Sequence, residues 1–133
     1  MFKILNFPKI LDSRGNLTFL QSPQHVPFEI NRVFWIYDVP GGESRGAHAY
    51  KSQEEIIIAL SGSFDVLLTD KKGVKFNISL NKAYEGLFIP KLTWRSIVNF
   101  STNSCALILS SSNFDKNDYI SNYEAFLNFN NGN

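Results

Sequence analysis

His48 and Tyr50 stand two residues apart in SRGAHAYKSQEE (residues 44–55), with Glu54 close behind and Arg45 and Lys51 on either side. In an extended strand, residues i and i+2 share a face, so His48 and Tyr50 project one way while Ala47 and Ala49 project the other. An imidazole takes up a proton near neutral pH and a neutral phenol donates or relays one, so the pair holds the parts of an acid/base shuttle. A histidine met alone in a strand is more often structural, and tyrosine favours strands without any chemistry. The weight of the pair comes from its surroundings.

The spacing resembles two motifs of the double-sheet barrels known as cupins, which hold a ligand cavity between their sheets. The first is H-x-H followed by a glutamate and then a glycine, and here His48, Tyr50, Glu54 and Gly62 occupy it. The second is P-x-G-x-x-H-x-x-x-N, where PKLTWRSIVN supplies Pro90 and Asn99 but places Leu92 at the glycine and Arg95 at the histidine. Two positions that bind metal in such barrels therefore carry a phenol with a pKa of about 10 and a permanently charged guanidinium. A guanidinium in the cavity repels a divalent cation and attracts an anion, and Arg45 and Lys51 add to the same field. The expectation is a site without metal that takes a phosphorylated or carboxylated small molecule, and a metal-dependent oxygenase is the reading furthest from these residues.

Each neighbour has two readings. Glu54 orients His48 through a hydrogen bond, or it ends a strand in solvent. Arg95 holds an anionic group or polarises a ketone, or it closes the barrel rim in an ion pair. Trp35 and Trp94 stack on a ring of the ligand, or they pack in the core as large aromatics do. His25, in SPQHVPF, has no such company.

The elements that must position these groups are short strands. NLTFLQ, RVFWIYDV, GAHAY, EEIIIALSGS, FDVLLTD, VKFNISL, GLFIP, RSIVNF and CALILSS alternate or cluster apolar and β-branched residues between turn-forming residues. Gly62 is expected in a hairpin, and DKKG at 70–73 in the next, with Gly73 free to take positive φ. This spacing predicts an all-β sandwich or barrel. NDYISNYEAFLNF alone has helical periodicity, with caps expected at Asn117 or Asp118. The chain of 133 residues is expected to form one domain over 1–129, with a frayed tail at 130–133.

A net charge of +1 provides no whole-molecule attraction for nucleic acid or an anionic membrane. No apolar run has the length of a spanning helix, and MFKILNFPKI lacks the apolar core of a signal peptide. Cys105 has no second cysteine to pair with and is expected to pack as a small hydrophobe, in keeping with a cytoplasmic protein.

Nearly the whole chain resembles the dTDP-sugar 3,4-ketoisomerases, the FdtA/WxcM-type cupins of bacterial surface-polysaccharide pathways. The resemblance rests on DSRGNL, PFEINRVFWIYDV, RGAHAYK and SSNFDKNDYISNYEAF, the last with the pattern D-Y-I-x-x-Y-x-x-F. It implies a cupin or jelly-roll barrel and a homodimer that shares N-terminal strands across its interface. The implied substrate is dTDP-4-keto-6-deoxyglucose, isomerised through an enediol without metal or organic cofactor to a 3-keto sugar that an aminotransferase can use.

Carried onto this chain, the resemblance implies His48 as general base and Tyr50 as acid or relay. Arg45, Lys51 and Arg95 become binding groups, and Arg14 joins them on the resemblance alone. The family typically reads R-G-x-H-A-H, so Tyr50 replaces a second histidine, Phe34 and Trp35 stand at common tyrosine positions, and Gln21 stands at a common glutamate. Two alternatives stay open: an epimerase of dTDP-keto sugars that uses the same His/Tyr pair, and a catalytically silent nucleotide-sugar binding protein.

Overall fold

Alternation decides the architecture, because nearly every strand has one face for the barrel interior and one for a covering layer. The computed structural model describes residues 1–131. One sheet has the order β1 (Lys3–Asn6), β9 (Glu85–Ile89), β6 (Glu55–Ser61), β11 (Cys105–Ser110), β4 (Arg32–Tyr37). The facing sheet has the order β12 (Tyr119–Ile120), β5 (Arg45–Tyr50), β10 (Trp94–Val98), β7 (Phe64–Thr69), β8 (Lys75–Leu80). All pairings are antiparallel, and the result is the expected double-sheet cupin barrel. Ile57, Ala59, Phe64, Val66, Leu68, Leu87, Ile97 and Ile108 fill the space between the sheets.

Each sheet is covered on its outside. Phe7, Val26, Phe28 and Ile30 close over Ile56, Ile58, Phe88 and Leu109 of the first sheet. The helix α1 (Tyr123–Asn131) closes over the second, with Phe126 fully buried against Trp94 and Ala49. Burying a phenylalanine so completely stabilises the docked helix by about 1.5–3 kcal/mol.

Several local expectations change. Gly62 does not turn a hairpin: β6 pairs with β9 and β11, β7 pairs with β8 and β10, and the chain crosses from one sheet to the other between them. Gly62 takes φ +66°, and a Cβ there would lie 2.5 Å from Ser101 Oγ and 2.8 Å from Ser104 Cα, so the corner has room only for glycine. The 70–73 turn does close the β7–β8 hairpin, with Gly73 N–H donating to Asp70 O at 3.0 Å and φ +82° at Gly73. Leu92, at the motif position for glycine, keeps a left-handed φ of +58°, held as its N–H donates to Tyr50 O at 2.8 Å.

The expected helix over 117–129 divides in two. Tyr119 and Ile120 pair with Tyr50 and Ala49 as β12, and α1 begins only at Tyr123 with Asn122 Oδ1 accepting from Ala125 N–H at 2.9 Å. The helix runs through Asn131, past the start of the expected tail, and residues 132–133 lie outside the described residues. Cys105 is half-buried rather than enclosed.

Strand β1 pairs with β9 of its own chain. The ribbon β2 (Lys9–Ile10) and β3 (Leu17–Thr18) pairs only with itself, and all four of its strand residues are exposed.

Candidate active site

Strand β5 carries the site. His48 and Tyr50 do share a face: their rings meet edge-on at 4.7 Å between centroids. Opposite His48 in the β5–β10 register is Arg95. Its Nε and Nη2 donate to the two oxygens of Glu55 at 2.8 and 2.9 Å, and Nη1 donates to Gly46 O at 2.8 Å. Both partners of this ion pair are 1% exposed.

The register shifts between Arg95 and Ile97, and within that irregular stretch of β5 Gly46 adopts φ +70°. A Cβ at Gly46 would collide with Arg95 Nη1, so the glycine is what lets the guanidinium lie flat beneath the strand.

The carboxylate in the barrel is therefore that of Glu55, in phase with Ile57 and Ala59, and not that of Glu54. Glu54 lies on the other face and lines a hollow with Met1, Phe2, Ser52, Asp70 and Lys91, and among the described residues it makes no hydrogen bond to His48. Arg95 is fully engaged inside the protein, which leaves the ion-pair reading, placed in the core rather than at the rim.

Two residues that the motifs did not indicate complete the cluster. Tyr119, opposite Tyr50 in the β12–β5 register, packs its ring 4.9 Å from His48 and 4.8 Å from Tyr50. Its hydroxyl accepts from Tyr50 Oη and from Arg32 Nη2, each at 3.5 Å. Arg32, on β4, also donates to Gln53 Oε1 at 3.2 Å and lies over Phe34 and Phe114. Gln53 is held in turn by Ser110 and Ser112. Arg32 is legible only from its phase, since it alternates with Phe34 and Ile36, which face the core.

Asp118 aims Tyr119. Its carboxylate accepts from Ser52 N–H at 2.9 Å, Ser52 Oγ at 2.7 Å and Gln53 N–H at 3.1 Å, while its carbonyl accepts from Lys51 N–H at 2.9 Å. These four bonds fasten the short β12 strand to the end of β5.

Electrostatics separate the two halves of the His/Tyr pair. Burial, reinforced by the charges of Arg95 and Arg32, pushes His48 down to about 3, so its imidazole is neutral at physiological pH. Burial and the Glu55 charge push the Tyr50 phenol well above its ordinary value, so it stays protonated. Burial works against the Arg95 charge, but Glu55 more than offsets it and Arg95 remains a cation. Two buried polar atoms in this cluster have no partner among the described residues: His48 Nε2 and Arg32 Nε. Unpaired buried polar atoms are uncommon, and here they lie in one cluster.

The other expected residues lie further out. Arg45 is exposed at the start of β5, in a hollow with Trp35, Tyr37, Asp38 and Glu43. Lys51 shares a shallow hollow with Phe114, Lys116 and Tyr119. Trp94 faces away from the barrel interior and anchors α1 through Tyr123 and Phe126, at 5.3 and 5.8 Å. Trp35 points outward from β4, 57% exposed, alongside Val33 and Tyr37. Arg14 sits at the tip of the β2–β3 ribbon, paired with Asp12 at 2.7 Å and with its side chain 88% exposed. His25 accepts from Gln21 N–H within its own loop.

The family described as "FdtA: WxcM-like, C-terminal" matches residues 1–131. The chain belongs to the FdtA/WxcM-like family. It is 37% identical over 124 residues to the TDP-4-oxo-6-deoxy-alpha-D-glucose-3,4-oxoisomerase of Aneurinibacillus thermoaerophilus, covering 93% of this chain and 88% of that protein. The WlaRB TDP-quinovose 3,4-ketoisomerase of Campylobacter jejuni superposes with a TM-score of 0.89 at 44% identity, covering 95% of this chain and 96% of the other. A mutant of the 3,4-ketoisomerase QdtA from Thermoanaerobacterium thermosaccharolyticum, in complex with TDP-4-keto-6-deoxyglucose, superposes with a TM-score of 0.95 at 30% identity, covering 98% and 94%. FdtA/WxcM-like membership puts this chain in the class of sugar-nucleotide isomerases.

Proposed function

We propose that this FdtA/WxcM-like protein is a 3,4-ketoisomerase of dTDP-4-keto-6-deoxyglucose, moving the carbonyl from C4 to C3 through an enediol. The observation that carries the reading is the unpartnered Nε2 of a neutral His48 beside the protonated phenol of Tyr50. The C4 ketone acidifies the C3 proton, and a neutral imidazole is the form of histidine that can remove it. Tyr50 serves as acid or relay among the oxygens. Oxidation at C3 and reduction at C4 cancel within one molecule, so the balance calls for no external oxidant or reductant.

Arg45 and Lys51 supply positive charge near the site for the diphosphate. Arg95 acts through its field, since its donors are taken by Glu55 and Gly46. The working form is a cytoplasmic homodimer. The exposed β2–β3 ribbon and the outward Val33, Trp35 and Tyr37 form its contact, and the ribbon brings Arg14 to the partner's site. The product serves the synthesis of a 3-amino-3,6-dideoxy sugar for surface polysaccharide.

The test is incubation with dTDP-4-keto-6-deoxyglucose in deuterated water, followed by NMR of the sugar. A 3-keto product with deuterium at C4, absent with His48→Ala, is the expected result. Deuterium uptake without ketone migration would indicate epimerisation. The single imidazole supports a second reading, a silent nucleotide-sugar binding protein, which predicts dTDP affinity without exchange and turnover only in Tyr50→His.

A further inference from the structure

Tyr50 is the hydroxyl that the sequence motif presents, but it is only 3% exposed, while Tyr119 is half-buried. Among the described residues the Tyr50 hydroxyl makes one hydrogen bond, a donation to Tyr119 Oη, so its proton is directed at another side chain. Tyr119 Oη accepts from both Tyr50 Oη and Arg32 Nη2. With both donations arriving at one oxygen, the proton of Tyr119 is not committed to any acceptor among the described residues. Its ring packs on His48 and on Phe114, which is 66% exposed, so the Tyr119 ring spans from the base to the open side of the cluster.

On the ketoisomerase reading above, we infer that Tyr119 is the catalytic acid that exchanges a proton with the substrate oxygens, and that Tyr50 and Arg32 act on it from behind. His48 removes the C3 proton, the C3–H electrons form the C3=C4 double bond, and the C4 carbonyl electrons move to O4, which takes the Tyr119 proton. The enediol then collapses the other way. The O3–H proton returns to the Tyr119 phenolate, the O–H electrons form the C3 carbonyl, and the C3=C4 electrons take the proton from the His48 imidazolium at C4. Every proton is returned and no electron leaves the substrate. The transient phenolate has two donors already in place, one of them a guanidinium.

This assignment gives the site a division of labour. Tyr119 touches substrate, Tyr50 positions and supports it by a hydrogen bond, and Arg32 supplies charge. It also gives a use to Arg32, half-buried on β4 with a buried Nε that has no partner among the described residues.

The experiment compares Tyr119→Phe and Tyr50→Phe in the NMR assay, with melting temperatures measured beside it. Tyr119→Phe keeps the ring contacts and removes only the hydroxyl. The expected result is a loss in kcat on the order of 100-fold with KM and melting temperature unchanged, while Tyr50→Phe loses roughly 10-fold. If wild type turns over and Tyr119→Phe stays within about twofold of it, or if Tyr50→Phe is the more damaging change, the assignment to Tyr119 is wrong and the ketoisomerase reading survives. If wild type neither exchanges nor isomerises, both fall together.

Discussion

Two clusters of charge share the barrel, and they are built to opposite rules. Around Arg95 every bond is short and each guanidinium nitrogen has a partner: 2.8 and 2.9 Å to Glu55 and 2.8 Å to Gly46, with both ions out of water. Around Arg32 the bonds to Gln53 and Tyr119 stretch to 3.2 and 3.5 Å, and Arg32 Nε and His48 Nε2 have no partner among the described residues. A closed cluster resists change because any rearrangement strands a buried charge. An open cluster has desolvated its groups without satisfying them, and a ligand that supplies the missing partners gains what the fold has left unmade. Two arginines of the same barrel thus differ in their surroundings: one is locked into the structure, and the other, in the proposed mechanism, supports Tyr119.

The sharpest way to break this comparison is to cut each cluster at its centre and see which property fails. His48→Ala is expected to lower turnover by about 10²–10⁴-fold, the usual contribution of a general base, while the melting temperature stays near that of wild type. Arg95→Met should do the reverse to the fold, costing about 3–5 kcal/mol in urea titration because Glu55 is left buried and uncompensated. Replacing both partners, as Arg95→Met with Glu55→Leu, is expected to recover much of that loss. If the single and double variants are equally unstable, the closed cluster is not an ion pair in the energetic sense.

Smaller effects sharpen the distinction. Gly46→Ala places a methyl group against Arg95 Nη1 at φ +70° and should cost about 1–3 kcal/mol, read in the same titration. For pH, folded His48 titrates near 3 while the unfolded chain titrates near the ordinary histidine value of about 6.5. Between those values the unfolded chain binds the extra proton, so this contribution is complete above about pH 6.5 and is lost as pH falls toward 3. The slope of melting temperature against pH in that window should flatten in His48→Gln. At the small end, Arg14→Ala should leave the melting temperature of the isolated protomer unchanged, since its ion pair with Asp12 lies in solvent. A loss of turnover in that variant would come from the partner's site and would support the proposed dimer.

Sequence reasoning reached the barrel and the His48–Tyr50 wall because both follow from a period of two. It stopped where the information is not local. Glu54 and Glu55 are adjacent and chemically alike, and the parity set by Ile57 and Ala59, with the six residues between Glu55 and Gly62, shows which carboxylate enters the barrel. Tyr119 was concealed by its own neighbourhood, since Tyr119, Ile120, Tyr123 and Phe126 recur at helical spacing. The first two are instead drawn into a sheet by β5, a partner almost 70 residues back in the chain: Tyr119 pairs with Tyr50, |i−j| = 69. Tertiary pairing overrode local propensity there. Arg95 stood out in the sequence for its charge, but its burial depends on Glu55 as counter-ion, the carboxylate passed over in favour of Glu54.

Asp118 joins the loop at Ser52 and Gln53 to the strand that carries Tyr119, so one wall of the site is fastened to a segment some 65 residues earlier in the chain. Without β12 the strands β5, β10, β7 and β8 would keep one another as partners, and His48 would lack the Tyr119 ring that packs against it. Pairing of the barrel strands and completion of this wall are therefore separable: β5 pairs with β10 whether or not β12 is in place, and Asp118 is the clasp between the two.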